Sequence, residues 1–228
     1  MRAKFVILLC HHNADPDALG SAFSFSQLLH HLKPDVQVGI AAAQGPSKLS
    51  KHILRTLPIK LTATPKIEVA DALFLLDTNT IQQLAEWKQR VEKFHKPIIV
   101  IDHHAIHLET KRVATLCIVD ETASSTCEII YDLFREAKIK PGKKEALALF
   151  LGIAYDSRHF SLASSRTFKV VSDLVDAGVR AEEAMALLLM PMDASERIAR
   201  LEAARRVQLT KIGEWLIVTS HVGTYQAS

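Results

Sequence analysis

Three apolar runs, at 5–10, 72–76 and 98–101, stop abruptly at a cluster of Asp or His residues. Runs this short, rich in Ile, Leu, Val and Phe, have the length and composition of buried strands. The first leads through HHNADPD into ALGSAFSFSQLLHHL, a helical pattern, and the helix is predicted over 17–32, stopping at Lys33-Pro34. The second leads into IQQLAEWKQRVEKF, with apolar residues at Ile81, Leu84, Trp87 and Val91, which predicts a helix over 81–94. Strand, polar loop, helix is the half-unit of an open α/β sheet. The expected fold is therefore α/β, a mainly parallel sheet flanked by helices, and such sheets place their sites at the carboxyl ends of the strands.

Those ends carry a common chemistry. The first run is followed by His11, Asp15 and Asp17, the second by Asp77, and the third by Asp102, His103 and His104. A further segment, 144–156, is apolar almost all round, suits a central buried helix, and ends at Asp156 before the polar Ser157, Arg158 and His159. Taken singly these residues have plainer readings. Asp15 or Asp17 suits the N-cap of the first helix and Asp77 that of the next, and the histidines could be ordinary strand-end residues. Taken together they do not. In a parallel sheet the strand ends share one edge, and Asp15, Asp17, Asp77 and Asp156 cannot crowd one cleft without positive charge to offset them. Two divalent ions would balance them, and mixed His and carboxylate donors suit manganese better than calcium. Ions ~3.5–4 Å apart are a standard device for phosphoryl hydrolysis. Pro16 between Asp15 and Asp17 pre-sets φ for a first helical turn, and Gly20 lets the helix backbone come close to a neighbour or a phosphate.

Bulk properties narrow the setting. The chain has 228 residues, is 48% hydrophobic, and holds 8 glycines and 8 prolines, which suits a well-packed core. No apolar run reaches the length of a transmembrane helix, so no membrane partner is expected. The opening MRAKFVILLC lacks a small-residue cleavage site and is read as the first strand. Cys10, Cys117 and Cys127 have no metal-finger spacing and are expected reduced and buried, as in a cytoplasmic protein. A net charge of +3 permits an anionic substrate without arguing for a long nucleic acid.

The remaining segments complete the expected order: a short strand in 35–42, a short helix in 46–57, a strand in 115–120, a helix over 121–137 with Thr122 or Ser124 as N-cap, helices at 164–177 and 181–189, a long charged helix at 193–210, and a strand in 214–222. On the long helix Arg197, Arg200, Arg205 and Arg206 alternate with Glu196 and Glu202, a solvated face rather than a nucleic-acid stripe.

Four stretches in order, HHNADPDALGSA (11–22), LLDT (75–78), IDHH (101–104) and GIAYDS (152–157), resemble the motifs of the DHH phosphoesterase superfamily. The superfamily includes nanoRNases that also dephosphorylate 3′-phosphoadenosine 5′-phosphate, cyclic-dinucleotide phosphodiesterases, single-strand exonucleases, exopolyphosphatases and manganese pyrophosphatases. The resemblance covers residues 1–190 and implies a catalytic domain there, a linker helix at 191–212, and at 213–228 the start of an incomplete C-terminal substrate-binding domain. It implies that His11 and Asp15 hold one manganese ion, that Asp17, His103 and Asp156 hold a second, and that Asp77 bridges both. His104 would act on the reacting phosphate, with Asp102 behind the histidines orienting them. Asn13, Arg158 and His159 would touch substrate phosphate, and His12 matches no ligand position. The implied substrate is a short oligoribonucleotide or a small nucleotide such as 3′-phosphoadenosine 5′-phosphate. Polyphosphate or pyrophosphate is the alternative, and a non-catalytic replication or repair scaffold is the reading from another class. The apolar strand at 215–218 would favour self-association, giving a homodimer.

Overall fold

Strand β1, Phe5–Cys10, is the first apolar run, and the sheet grows outward from it on both sides. The computed structural model describes residues 3–189 and 194–223. In it β1 lies between β2 (Gln37–Ala42) and β3 (Ala72–Leu76), followed by β4 (Ile98–Asp102) and β5 (Leu116–Val119). The order is β2-β1-β3-β4-β5, and every pairing is parallel. The order reverses between β1 and β3, and such a switch point leaves a crevice beyond the carboxyl ends of the strands. The register aligns those ends: Cys10 lies opposite Leu76, and Leu76 opposite Ile101. The residues that follow, His11, Asp77 and Asp102, therefore emerge along one edge.

Period-two alternation sorts the strand side chains onto two cores. Val6, Leu8, Cys10, Phe74, Leu76, Ile99 and Ile101 face one. Ile7, Leu9, Leu73, Leu75, Ile98 and Val100 face the other, against Ile67, Ile81, Leu84, Trp87 and Val91. Both faces of the sheet are buried, which is why the strands read as continuous apolar runs.

On the first face lie α1 (Pro16–Leu32), α5 (Thr126–Glu136) and α6 (Lys143–Asp156), packed on one another. Helix α1 starts where Asp15 caps it and Pro16 takes the first helical position, and it ends at Lys33. A Cβ added at Gly20 would lie 2.5 Å from the carbonyl oxygen of Ala148, so the bare glycine lets α1 press onto α6. The other helices in this part are α2 (Lys48–Ile53), α3 (Lys88–Glu92), α4 (Leu108–Val113), α7 (Ser165–Asp176) and α8 (Ala181–Leu188).

The structure departs from the sequence expectations at several points. The helix predicted over 81–94 is a tight 3-10 stretch, Ile81–Trp87, broken at Ala85 (φ 47°) before α3. Its apolar residues are buried as expected, but the Gln83 carbonyl accepts the His12 N–H at 2.8 Å instead of one four residues on, and the helix cannot run through. Helix α4 was not anticipated. The N-cap of α5 is Ser125, whose hydroxyl accepts the Glu128 N–H. Thr122 and Ser124 are taken instead by the carboxylates of Asp120 and Glu128. Cys10 and Cys127 are buried, but Cys117 is exposed on the edge strand β5.

Contacts divide the chain into units at 1–188 and 189–228. The second holds α9 (Ala194–Arg205) and an antiparallel pair, β6 (Gln208–Ile212) and β7 (Trp215–Thr219). The helix expected over 193–210 thus ends at Arg205, and β6 occupies part of the span assigned to a linker helix; residues 190–193 and 224–228 lie outside the described residues. Arg200 and Arg205 pair with Glu196 and Glu202 on the solvated face. Among the described residues, no helix is long and apolar enough to cross a membrane.

Candidate metal centre

Three loops beyond β1, β3 and β4, the last residue of α6 and the first turn of α5 converge at the switch point. His11 follows β1 directly. Its Nδ1 lies 2.8 Å from the carbonyl oxygen of His12. A carbonyl can only accept, so Nδ1 carries the proton and Nε2 is the ring's free donor atom. That Nε2 lies 3.9 Å from Asp15 Oδ2 and 3.6 Å from Asp77 Oδ2. Asp15 divides its oxygens: Oδ1 caps α1 by accepting the N–H groups of Asp17 and Ala18, while Oδ2 faces His11. The capping role and a ligand role are compatible, one oxygen each.

Asp17 is fully buried. Its Oδ2 accepts the Thr126 N–H at 2.7 Å and its Oδ1 the Cys127 N–H at 2.9 Å. The carboxylate therefore sits on the N-terminus of α5, where unpaired amides and the helix dipole favour negative charge. Asp77 is held in a left-handed backbone conformation (φ 51°), which Asp tolerates better than most residues, with its N–H donated to Ile101. Its Oδ1 accepts the Thr126 hydroxyl at 3.1 Å and lies 3.7 Å from His103 Nε2. His103 Nε2 is 2.9 Å from Asp156 Oδ2. His104, half-exposed, sets its backbone N–H and its Nδ1 on Asp102 Oδ1 at 2.8 and 3.0 Å.

The charges answer one another. Burial opposes protonation of His11, but Asp15 and Asp77 outweigh it and hold the imidazole at about 10. His103 is raised in the same way by Asp156 and Asp77 against burial, and His104 is raised foremost by Asp102. Burial, then Asp77, Asp156 and Asp15, push Asp17 well up. Burial also raises Asp156. Asp77 is held low because the histidines overcome its burial.

The donor atoms fit divalent ions. They form overlapping groups: His11, Asp15 and Asp77; Asp17, Asp77, His103 and Asp156; Asp77, His103 and His104. Within each group the atoms lie within 4.8 Å of one another, and Asp77 belongs to all three. Donors about 2.1 Å from one ion at right angles stand roughly 3 Å apart. His103 Nε2 and Asp156 Oδ2 stand at 2.9 Å, close to that spacing.

The other residues singled out from the sequence are near chain neighbours of these donors. Asp102 orients His104 and not His103. Asn13 has φ 55° and is exposed, while His12 is tied to Gln83 through its N–H and Nδ1. Arg158 and His159 are exposed in a run of three left-handed residues, Arg158 to Phe160, just past Asp156. The residues that sequence reasoning missed are Thr126 and Cys127. The run of Ser and Thr before α5 signalled a helix start, but nothing local shows that this start would bind carboxylates 49 and 109 residues away.

Residues 5–153 match the N-terminal domain of the DHH family. The chain belongs to the DHH family. An uncharacterised protein of Methanocaldococcus jannaschii is 35% identical to it over 230 residues, covering 98% of this chain and 66% of that protein. A probable manganese-dependent inorganic pyrophosphatase of Lactococcus lactis subsp. lactis is 26% identical over 186 residues (78% of this chain, 57% of that one). A cyclic-di-AMP phosphodiesterase of Geobacillus thermodenitrificans is 26% identical over 228 residues (95% and 33%). The crystal structure of an exopolyphosphatase-related protein from Bacteroides fragilis superposes with a TM-score of 0.78 at 19% identity, over 92% of this chain and 63% of that one, and so shares the DHH domain's fold. The chain spans about two thirds or less of the length of these relatives.

Proposed function

We propose that this DHH domain is a two-metal phosphohydrolase acting on short oligoribonucleotides or small nucleotides such as 3′-phosphoadenosine 5′-phosphate. The observation that carries the proposal is the division of Asp77: Oδ2 faces His11 and Asp15, and Oδ1 faces His103, beside Asp156 and Asp17. One carboxylate shared by two donor groups is the arrangement a pair of ions needs. Manganese suits the mixed donors. Ions held there would supply positive charge to phosphoryl oxygens and lower the pKa of an attacking water.

The chain's own residues supply the rest. The bond of His11 Nδ1 to the His12 carbonyl leaves Nε2 as the atom that would face an ion. His104 is fixed through Nδ1 on Asp102, which leaves Nε2 as its remaining polar atom. On a half-exposed ring at the mouth of the cluster, Nε2 is the group to hydrogen-bond a phosphoryl oxygen or pass a proton to the leaving oxygen. Asp17 stays bound to the amides of α5 and adds negative charge that holds a cation in place.

The form of the first motif, DPDALGS, resembles nanoRNase and polyphosphatase-related members, and the cyclic-di-AMP phosphodiesterase relative is consistent with phosphodiester chemistry. A second reading, hydrolysis of pyrophosphate or polyphosphate, is favoured by the Lactococcus relative. The test is hydrolysis of a 5′-phosphorylated RNA dinucleotide with added Mn²⁺, with inorganic pyrophosphate run beside it, for the wild type and Asp77→Ala. Metal-dependent dinucleotide cleavage that the substitution abolishes is expected. Consumption of pyrophosphate alone moves the assignment to the anhydride hydrolases. Equal turnover by Asp77→Ala overturns the two-metal assignment, and silence on both substrates despite bound manganese leaves the metal site standing and reopens the substrate.

A further inference from the structure

We infer that Thr126 is a positioning residue that fixes how the two oxygens of Asp77 are shared between the halves of the metal centre; the inference rests on the two-metal reading above. Rotation about the last side-chain bond of an aspartate is broad and roughly two-fold. A bridging carboxylate whose oxygens must face different ways therefore needs something to hold that torsion. The backbone of Asp77 is set by the bond to Ile101, but this leaves the carboxylate free to turn.

The groups around the carboxylate are not equivalent restraints. His11 and His103 approach it through Nε2 at 3.6 and 3.7 Å, beyond hydrogen-bond distance. Those same nitrogens must present lone pairs to act as ligands, and then they offer Asp77 no proton. The Thr126 hydroxyl is different. It stands 3.1 Å from Oδ1, is fully buried, and keeps its proton whatever the histidines do. It occupies one lone pair of Oδ1, leaves the other, and so keeps Oδ2 turned toward His11 and Asp15. A β-branched threonine holds its hydroxyl in few rotamers, which suits the task.

Thr126 is itself firmly placed. Its N–H is bound by Asp17, so one residue grips carboxylates from the first and second motifs at once. The turn that carries it is capped by Ser125 and anchored by the buried Glu128, whose Oε2 accepts from the Ser124 N–H, the Ser124 hydroxyl and the Thr167 hydroxyl. Arg166 on α7 then joins Glu128 to Asp120 and Asp132. The first turn of α5 is a bracket, and the Thr126 hydroxyl is the part of it that reaches the bridging ligand.

Calorimetric titration of the metal-free chain with MnCl₂ tests this, with the bound manganese read by paramagnetic resonance for a spin-coupled pair. Thr126→Val keeps the shape and the N–H to Asp17 and removes only the hydroxyl; Thr126→Ser restores it. The wild type is expected to take up two ions as a coupled pair. Thr126→Val should bind one of them about 10–100-fold more weakly, as removal of an outer hydrogen-bond partner typically does, and lose the coupled signal. Thr126→Ser should behave as wild type, and the metal-free unfolding temperature should hardly move. If Thr126→Val fails to fold, Thr126→Ala beside Thr126→Ser makes the same comparison. Two coupled ions at wild-type affinity without the hydroxyl overturn the inference and leave the two-metal reading standing. A wild-type chain that binds fewer than two ions overturns both.

Discussion

Gly152→Ala on α6 is a substitution that helix propensity favours and this structure forbids. In an exposed helix interior, alanine is ~0.8–1 kcal/mol better than glycine. Here the added Cβ would lie 2.3 Å from Cys127 Sγ, 2.8 Å from Asp17 Oδ1 and 3.0 Å from Asp17 Cα. Optimal carbon contacts are about 3.5–4.0 Å, so the shortest overlap exceeds an ångström. Relief is hard to find. Cys127 is fully buried, Asp17 is pinned by two amides, and α1 already touches α6 at Gly20. Overpacking costs ~1–3 kcal/mol and occasionally more. With overlaps on three atoms the upper end applies, and after the propensity gain a net loss of about 2 kcal/mol is expected. In a chain of this size that lowers the melting temperature by roughly 4–8 °C. Urea and thermal unfolding in EDTA measure it without metal linkage. Because the added methyl pushes on Asp17, manganese affinity should fall as well. In Cys127→Ala/Gly152→Ala the shortest contact is gone, and the double-mutant cycle should show a coupling of about 1 kcal/mol or more. A Gly152→Ala protein as stable as wild type, or more stable by the propensity gain, would refute the close approach of α6 to Asp17.

Two further predictions concern the bracket behind α5. Arg166→Met leaves Glu128 Oε1, 3.1 Å from the guanidinium, without its ion-pair partner in a fully buried site. A loss of about 2–4 kcal/mol in urea unfolding is expected, partly recovered by adding Glu128→Gln; an unchanged midpoint would show that the pairing does not anchor the turn. Asp120 is held at about 2, below its ordinary 3.8, by the Thr122 hydroxyl and then by Arg166. A lowered carboxylate contributes stability above its unfolded value and loses it as the pH falls through the folded one. About 1 kcal/mol, discounted for partial exposure, should therefore be present at pH 6 and disappear between pH 4 and 2. Asp120→Asn should flatten that limb, and a parallel acid limb in the variant would contradict the pairing.

Much of this protein was legible because its signals are local. A strand buried on both faces must be apolar throughout, so β1, β3 and β4 announce themselves, and the first polar residue marks the carboxyl end where a site can lie. Parallel pairing then aligns those ends, and the six residues expected to hold metal do converge. The helix over 81–94 was misread because its apolar spacing is real while its carbonyl is claimed by His12, a bond between distant residues. The α5 cap was misplaced for a similar reason, since Asp120 and Glu128 take the nearer candidates. Asp102 was expected to orient both histidines, and the turn after β4 lets it reach only His104.

What the amino-acid sequence determined alone is the alternation of apolar runs and polar stops, hence the α/β class, the strand edge that bears the site, and the residue types gathered there. Periodicity and composition act over a few residues and need no partner. What only the tertiary structure decided is how those residues are held: Asp17 on the amides of α5, Asp77 hydrogen-bonded by the Thr126 hydroxyl, and Gly152 bare so that α6 can approach. Each is a contact between segments far apart in the chain, set by packing and hydrogen-bond geometry, and such contacts leave no local pattern to read.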